Sequence, residues 1–490
     1  MNLPLASLRW DNSFARLDEA FFQRVLPTPM PAPQLVAFNP DAAALLGLDP
    51  AAAATEEFVA VMSGNGRLAA MDPLAAIYAG HQFGVWVPEL GDGRAILLGE
   101  IVTPQGSRWE LQLKGAGMTR FSRMGDGRAV LRSTIREYLA SEAMAGLRIP
   151  TTRALSITGS SLPVYRERAE TAAVLARLAP SHVRFGSFEL FAARRMPDQV
   201  KQLADYVITL HFPEFAELPD EERYAAWFRE VIDRTARLMA QWTAVGFAHG
   251  VMNTDNMSIL GLTLDYGPYG WLDEYDPGFI CNHTDQTGRY AFDQQPRVGL
   301  WNCSRLGEAL FPLIAEQPAL AALESYRGTF ETTIDQLIRS KLGLRTTEAD
   351  DLALQGELFA LMHREAIDYT RFFRALSHFN PDDARTRTAV EAEAAAPAAL
   401  TVWLDRYADR LAREVTTTDR QAQMLGVNPK FVLRNWVAQE VIEAAERGEF
   451  APIEAVRQLM AHPFEEHPGW ERYAGPAPAG VVPVEVSCSS

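Results

Sequence analysis

The order of elements between residues 88 and 145 constrains this chain more than any other feature of it. PELGDGR (88–94) reads as a glycine loop, AILLGEIV (95–102) as a strand, Pro104-Gln105-Gly106 as a turn and RWELQLK (108–114) as a second strand. That last strand alternates with period two. Trp109, Leu111 and Leu113 fall on one face, and Glu110, Gln112 and Lys114 on the other. A helix follows over about 128–145, stopped by Gly146 and Pro150, with Glu137 in its middle. FGVWV (83–87) adds a short strand ahead of the loop, and 153–158 and 172–179 add two more. The pentapeptide GDGRA occurs at 91–95 and again at 125–129, and predicts two similar tight turns.

Around this segment the chain is ordinary soluble protein. Its 490 residues suggest two to four units. The 10 Trp and 25 Phe supply ample core, which excludes wholesale disorder. A formal charge of −16 disfavours nucleic acid and anionic membrane surfaces as partners of the whole molecule, while leaving room for a local basic groove. Three cysteines exclude a disulfide scaffold. Neither a secretory signal nor a run of 18 apolar residues is evident, so the expected compartment is the cytoplasm. Residues 26–40 are proline-rich and extended, and should wrap over a folded surface that buries Leu35, Val36 and Phe38. From 198 onward helices dominate. Residues 220–246 set Tyr224, Trp227, Phe228, Val231, Leu238, Trp242 and Val245 at helical spacing behind a candidate Asp220 cap. The pair His462/His467 in HPFEEH has the wrong spacing for zinc and reads as a solvated loop.

A glycine loop, a strand ending in Lys and a helix bearing Glu follow the order of a protein-kinase small lobe. There the lysine holds nucleotide phosphates and the glutamate fixes the lysine. The second half strengthens the reading. His249-Gly250 closes the long helix, Asn256 lies seven residues after His249, and Asp265-Tyr266-Gly267 is a variant of the metal-binding Asp-Phe-Gly. The amide oxygen of Asn256 and the carboxylate of Asp265 are hard ligands suited to Mg2+ or Mn2+ shared with phosphate. One position departs: the usual catalytic aspartate slot holds Val251, and the nearest carboxylate is Asp255.

Several segments together resemble the selenoprotein O / YdiU family of kinase-like proteins. They are DNSFARL (11–17), GHQFGVWVPELGDGRA (80–95), LQLKGAGMTRFSRMGDGRAVLRSTIREYLASEAM (111–144), HGVMNTDNMSILGLTLDYGP (249–268) and the terminal Cys-Ser-Ser (488–490). The resemblance implies an α+β, kinase-like bilobal fold. An N-terminal extension (1–80) would wrap the lobes, with a β-rich N-lobe (81–190), a helical C-lobe (191–475) and a redox tail (476–490). It implies a protein adenylyltransferase that binds ATP in a flipped orientation and transfers AMP to protein hydroxyls. Carried over, Lys114 contacts phosphates and pairs with Glu137, while Gly91, Gly93, Arg94, Asp126 and Gly127 line the nucleotide. Arg177 and Arg184 grip the distal phosphate, Asp255 accepts the proton, and Asn256 and Asp265 hold the metal. A redox-reactive tail is a family feature, so a reversible Cys281–Cys488 disulfide is the matching expectation. The alternatives left open are UMP transfer from UTP with Mn2+, a true kinase using Asp255, and a silent ATP-binding scaffold.

Overall fold

The computed structural model describes residues 2–414, 419–482 and 484–487. It is a mixed α/β structure, β-rich in its N-terminal part and mainly helical after that. The strands are β1 (Phe22–Arg24), β2 (Gln34–Phe38), β3 (Leu74–Ala76), β4 (Gly80–Gln82), β5 (Val85–Val87), β6 (Ala95–Val102), β7 (Arg108–Lys114), β8 (Ala129–Val130), β9 (Arg153–Tyr165), β10 (Ala169–Ala179), β11 (Phe247–Ala248) and β12 (Gly270–Trp271). The main antiparallel sheet runs β1-β3-β6-β7-β10-β9-β2, with β8 pairing off β10. The two central strands read from the sequence, 95–102 and 108–114, have the observed limits. The proline-rich stretch does more than wrap. β1 precedes it, β2 lies within it, and the two are on opposite edges of the sheet, so residues 25–33 join one edge to the other. Val36 is buried as expected, whereas Leu35 and Phe38 are half-buried.

Both faces of the sheet are covered, which explains why β7 alternates. Leu111 and Leu113 point into a core shared with Leu5, Leu46, Phe58 and Met62 of the N-terminal segment, including helices α1 (Pro40–Leu46) and α2 (Glu56–Met62). Truncating either leucine to Ala would cost roughly 2–5 kcal/mol, because neither is exposed. The polar residues Glu110 and Gln112 are equally buried, and they face the helical half rather than solvent. Helix α3 (Leu131–Gly146) lies against that second face. Gly146 does not stop it: the cap is Leu147 and the left-handed residue is Arg148. Glycine is needed at 146 because an added Cβ would lie 2.1 Å from the carbonyl oxygen of Met460 on the helix Ala451–Ala461.

The following helices are α4 (Phe185–Ala193), α5 (Pro197–His211), α6 (Asp220–Ala244), α7 (Gln295–Ala309) and α8 (Glu316–Lys341). Helix α6 buries Tyr224, Trp227, Phe228, Val231, Leu238 and Trp242, as its spacing demands. Two details differ from expectation. Asp220 is the first helical residue and Pro219 the cap, without a side-chain cap bond, and Val245 lies just past the end. His249 comes after β11 rather than at the helix terminus. Its ring stacks on Trp242 and its Nε2 lies 3.0 Å from the Leu264 carbonyl, tying the loop at 249–256 to the approach to Asp265. Among the described residues no helix is long and apolar enough to cross a membrane.

Candidate active site

Antiparallel pairing brings the first functional side chains together. β10 pairs with β7 so that Arg177 sits opposite Gln112. Cross-strand partners share a face, so Arg177 lands on the side that also carries Lys114. Helix α3 crosses that face and presents Glu137. The result is a chain of charge: Lys114 Nζ bonds Glu137, Glu137 accepts from Arg177 Nη1 at 3.0 Å, and Arg177 Nε donates to Gln112 at 2.7 Å.

Asp265 closes the chain from the other half. It is held in the left-handed region, at φ 58°. Its carboxylate accepts from Arg177 Nη1 at 2.5 Å, bonds Arg184 Nη1, and lies 3.6 Å from Lys114 Nζ. Burial alone would raise its pKa, but the Arg184, Arg177 and Lys114 charges outweigh it and hold the carboxyl well below the usual range. Burial lowers the Lys114 ammonium, with Glu137 and Asp265 opposing that shift. Arg184 also donates to the backbone carbonyl of Asp255 at 2.7 Å, and its guanidinium covers the Tyr78 ring at 4.8 Å.

Asp255 is nearly enclosed. The hairpin formed by β4 and β5 pairs with no strand of the main sheet and packs against the loop at 253–255. Gln82 of this hairpin donates to Asp255 Oδ2 at 3.1 Å, while Oδ1 is buried with no hydrogen-bond partner among the described residues. Burial pushes the carboxyl up to about 6, against the pull of Gln82 and Arg184. Such a group is poised near neutrality, as a general base must be. Asn253 fixes the hairpin: its Oδ1 accepts from the Phe83 N–H at 3.2 Å and the Tyr290 hydroxyl at 2.8 Å. Asn256 donates its amide N–H to the Val251 carbonyl at 2.9 Å, which identifies the other amide atom as the acceptor.

One cavity of about 590 Å³ is lined by Gly91, Gly93, Arg94, Lys114, Asp126, Gly127, Glu137, Arg177, Arg184, Asp255, Asn256 and Asp265. Every nucleotide, metal and proton-acceptor residue expected from the sequence therefore borders the same space. Seven of its lining residues are Lys or Arg and five are Asp or Glu, a local cationic excess inside an acidic protein. The GDGRA turns differ from expectation. In the first copy Gly91 takes positive φ, and in the second it is Gly127. Asp126 accepts both guanidinium nitrogens of Arg166, at 2.8 and 2.9 Å, and caps the Arg128 N–H. Sequence reading did not single out Arg166, Gln82, Asn253 or Tyr290. No local spacing links Arg166 to Asp126 across forty residues, although Gln82 does sit in the GHQFG stretch.

The two expected redox residues fare differently. Cys281 is buried, with its Sγ 3.5 Å from the Ala248 carbonyl. Cys488 lies outside the described residues. The tail does approach the right place, since the His283 N–H donates to the Val486 carbonyl at 2.9 Å.

The donor chemistry fits a hard divalent cation. Asp265 supplies a carboxylate and Asn256 an amide oxygen, both at the cavity. No group of three or more His, Cys, Asp or Glu suited to a metal occurs among the described residues. Any cation here would therefore complete its shell with phosphate and water oxygens.

The family model described as protein adenylyltransferase SelO matches residues 4–461. Three relatives named protein nucleotidyltransferase YdiU are similar over 99% of both chains. Those of Myxococcus xanthus and Thioalkalivibrio sulfidiphilus are 56% identical to this chain, and that of Pseudomonas fluorescens is 48% identical. On these grounds, and with the site residues gathered at one cavity, the chain belongs to the SelO family of protein adenylyltransferases.

Proposed function

We propose that the cavity binds ATP with its α-phosphorus toward Asp255, on a kinase-like two-lobed frame, and that AMP passes to a hydroxyl of a protein substrate. The observation that carries this is the shared cavity. Phosphate-binding cations (Lys114, Arg94, Arg177, Arg184) and a nearly enclosed carboxylate with a pKa near neutrality face one space. The hydroxyl oxygen bonds the α-phosphorus, the bond from that phosphorus to the bridging oxygen breaks, and pyrophosphate leaves. The hydroxyl proton passes to the Asp255 carboxylate. Pyrophosphate carries charge over many oxygens, and fork-shaped guanidinium donors suit it. Arg177 and Arg184 each spend Nη1 on Asp265 and its neighbours, and in our reading their Nη2 groups serve the phosphates. Asn256 and Asp265 would hold Mg2+ or Mn2+, whose charge screens phosphate oxygens.

The deciding experiment supplies ATP labelled at the α- or the γ-phosphate, with a protein acceptor. Label from the α-position on protein, with pyrophosphate released, is expected. Label from the γ-position would make the chain a kinase, and no label from either would leave only a nucleotide-binding scaffold. An excess of unlabelled UTP tests the uridylyl alternative.

We also propose that Cys281 and Cys488 pair reversibly beside this site, because the tail bonds the backbone two residues beyond Cys281. Non-reducing peptide mapping that found Cys303 bridged instead would refute it.

A further inference from the structure

The hairpin that offers Gln82 to Asp255 continues into a surface of different chemistry. Trp86 of β5 packs at a tilt against His81 at 5.0 Å, and His81 meets the edge of Trp301 on α7 at 5.3 Å. Two guanidinium groups cover Trp301, Arg289 at 4.7 Å and Arg305 at 5.2 Å. Arg297, Trp301 and Arg305 recur every fourth residue of α7, so they share one face. Arg297 is exposed, and Val85 at the hairpin tip is 67% exposed. Arg289 packs against the hairpin turn, where a Cβ added at Gly84 would lie 3.0 Å from its Cζ. Two stretches distant in sequence, the hairpin and residues 289–305, thus build one aromatic and cationic strip.

Its charge is poorly balanced. Arg305 pairs with Glu308 at 2.8 Å, and His81 with the buried Glu189 at 2.7 Å. Among the described residues no carboxylate forms an ion pair with Arg289 or Arg297. In a chain of net charge −16, such a local excess marks a contact surface. Its position narrows the partner. Phe83, in the turn beside Gly84, bonds Asn253 and Tyr290, and Gln82 and Phe83 both line the cavity that holds Asp255. A polypeptide lying on the strip would enter the cavity beside the carboxylate that accepts the proton.

We propose that the strip formed by Trp86, Arg289, Arg297, Trp301 and Arg305 docks an acidic segment of the protein substrate, next to the hydroxyl that receives the nucleotide. The proposal rests on the transfer reading above, but its test does not require turnover. Guanidinium groups stacked on indole attract carboxylates by charge while the rings pack the intervening apolar atoms.

Two fluorescent peptides test it, identical around a central Tyr and differing only in Asp/Glu or Lys/Arg flanks. Their anisotropy is followed against the full chain without nucleotide, at low and high salt. The acidic peptide is expected to bind, to weaken with salt, and to lose about tenfold in affinity in the Arg297→Glu/Arg305→Glu variant. Arg297→Lys/Arg305→Lys should retain most of it. The exposed Arg297 and the half-buried Arg305 are used because Arg289 is packed under the hairpin and its reversal could disturb folding. Equal affinity for both peptides, tighter binding of the basic one, or an acidic-peptide affinity unchanged by the reversal would each overturn the proposal. Truncation after residue 482 adds a control: binding that appears only after truncation would assign the strip to the chain's own tail and overturn it too. Failure of any of these leaves the α-label result intact, and failure of the α-label leaves the peptide affinities readable.

Discussion

Asp265→Asn isolates the charge at the centre of the site. Asparagine keeps the shape of the side chain and removes its negative charge. In the native arrangement that charge faces Arg177 Nη1 at 2.5 Å, Arg184 Nη1, and Lys114 Nζ at 3.6 Å. Arg177 and Arg184 are each only 2% exposed, so water in the cavity replaces the lost partner only in part. Glu137 alone would remain to balance Lys114 and Arg177. Breaking a buried ion pair by removing one partner costs about 3–5 kcal/mol. Against a typical stability of about 5–15 kcal/mol, the variant should fold but be clearly weakened. Urea unfolding followed by circular dichroism measures the loss. A second arm adds pyrophosphate. A bound polyanion would replace the missing carboxylate among the cations, so it should stabilise the variant more than the native protein. A loss below about 1 kcal/mol, or equal stabilisation by pyrophosphate in both proteins, would refute the claim that Asp265 is the counter-charge that Arg177 and Arg184 require.

Asp255→Asn should lower turnover by about 10²–10⁴ while ATP affinity changes little, which single-turnover kinetics and equilibrium binding will separate. Arg184→Lys keeps the charge but loses the fork, so affinity for ATP should fall far more than affinity for AMP; equal losses would count against the flipped nucleotide. Lys341 is buried over the rings of Phe373 and Tyr369, at 4.4 and 5.6 Å, and burial lowers its pKa from 10.5 to about 7. Between those values the unfolded chain binds the extra proton, so stability should rise with pH through the window, by roughly 1.4 kcal/mol per pH unit from this group. Lys341→Met should therefore stabilise the protein most near pH 6 and least near pH 10, as thermal unfolding across that range would show.

Much of this molecule is written locally. The alternation of β7, the heptad-like spacing of Trp227, Val231 and Leu238 on α6, and the turn chemistry between β6 and β7 depend on neighbours a few residues apart. They could be read without the fold because period and propensity are short-range properties. The positions of Lys114, Glu137, Asn256 and Asp265 were likewise legible, since their spacing along strand, helix and loop is characteristic. What the tertiary structure decided is how distant segments meet. Only strand pairing sets Arg177 opposite Gln112 and hence within reach of both Glu137 and Asp265. β1 and β2 sit on opposite edges of the sheet because the proline-rich crossing between them is long enough to span it, and no local signal specifies an edge. The same five residues, GDGRA, bend at Gly91 in one copy and at Gly127 in the other, since their surroundings rather than their sequence choose which glycine turns. FGVWV has the composition of a core strand, yet β5 leaves the main sheet and, among the described residues, pairs only with β4. Packed there against the loop of Asp255, the hairpin helps to bury that carboxylate and supplies a side-chain donor, Gln82, from 173 residues away in sequence.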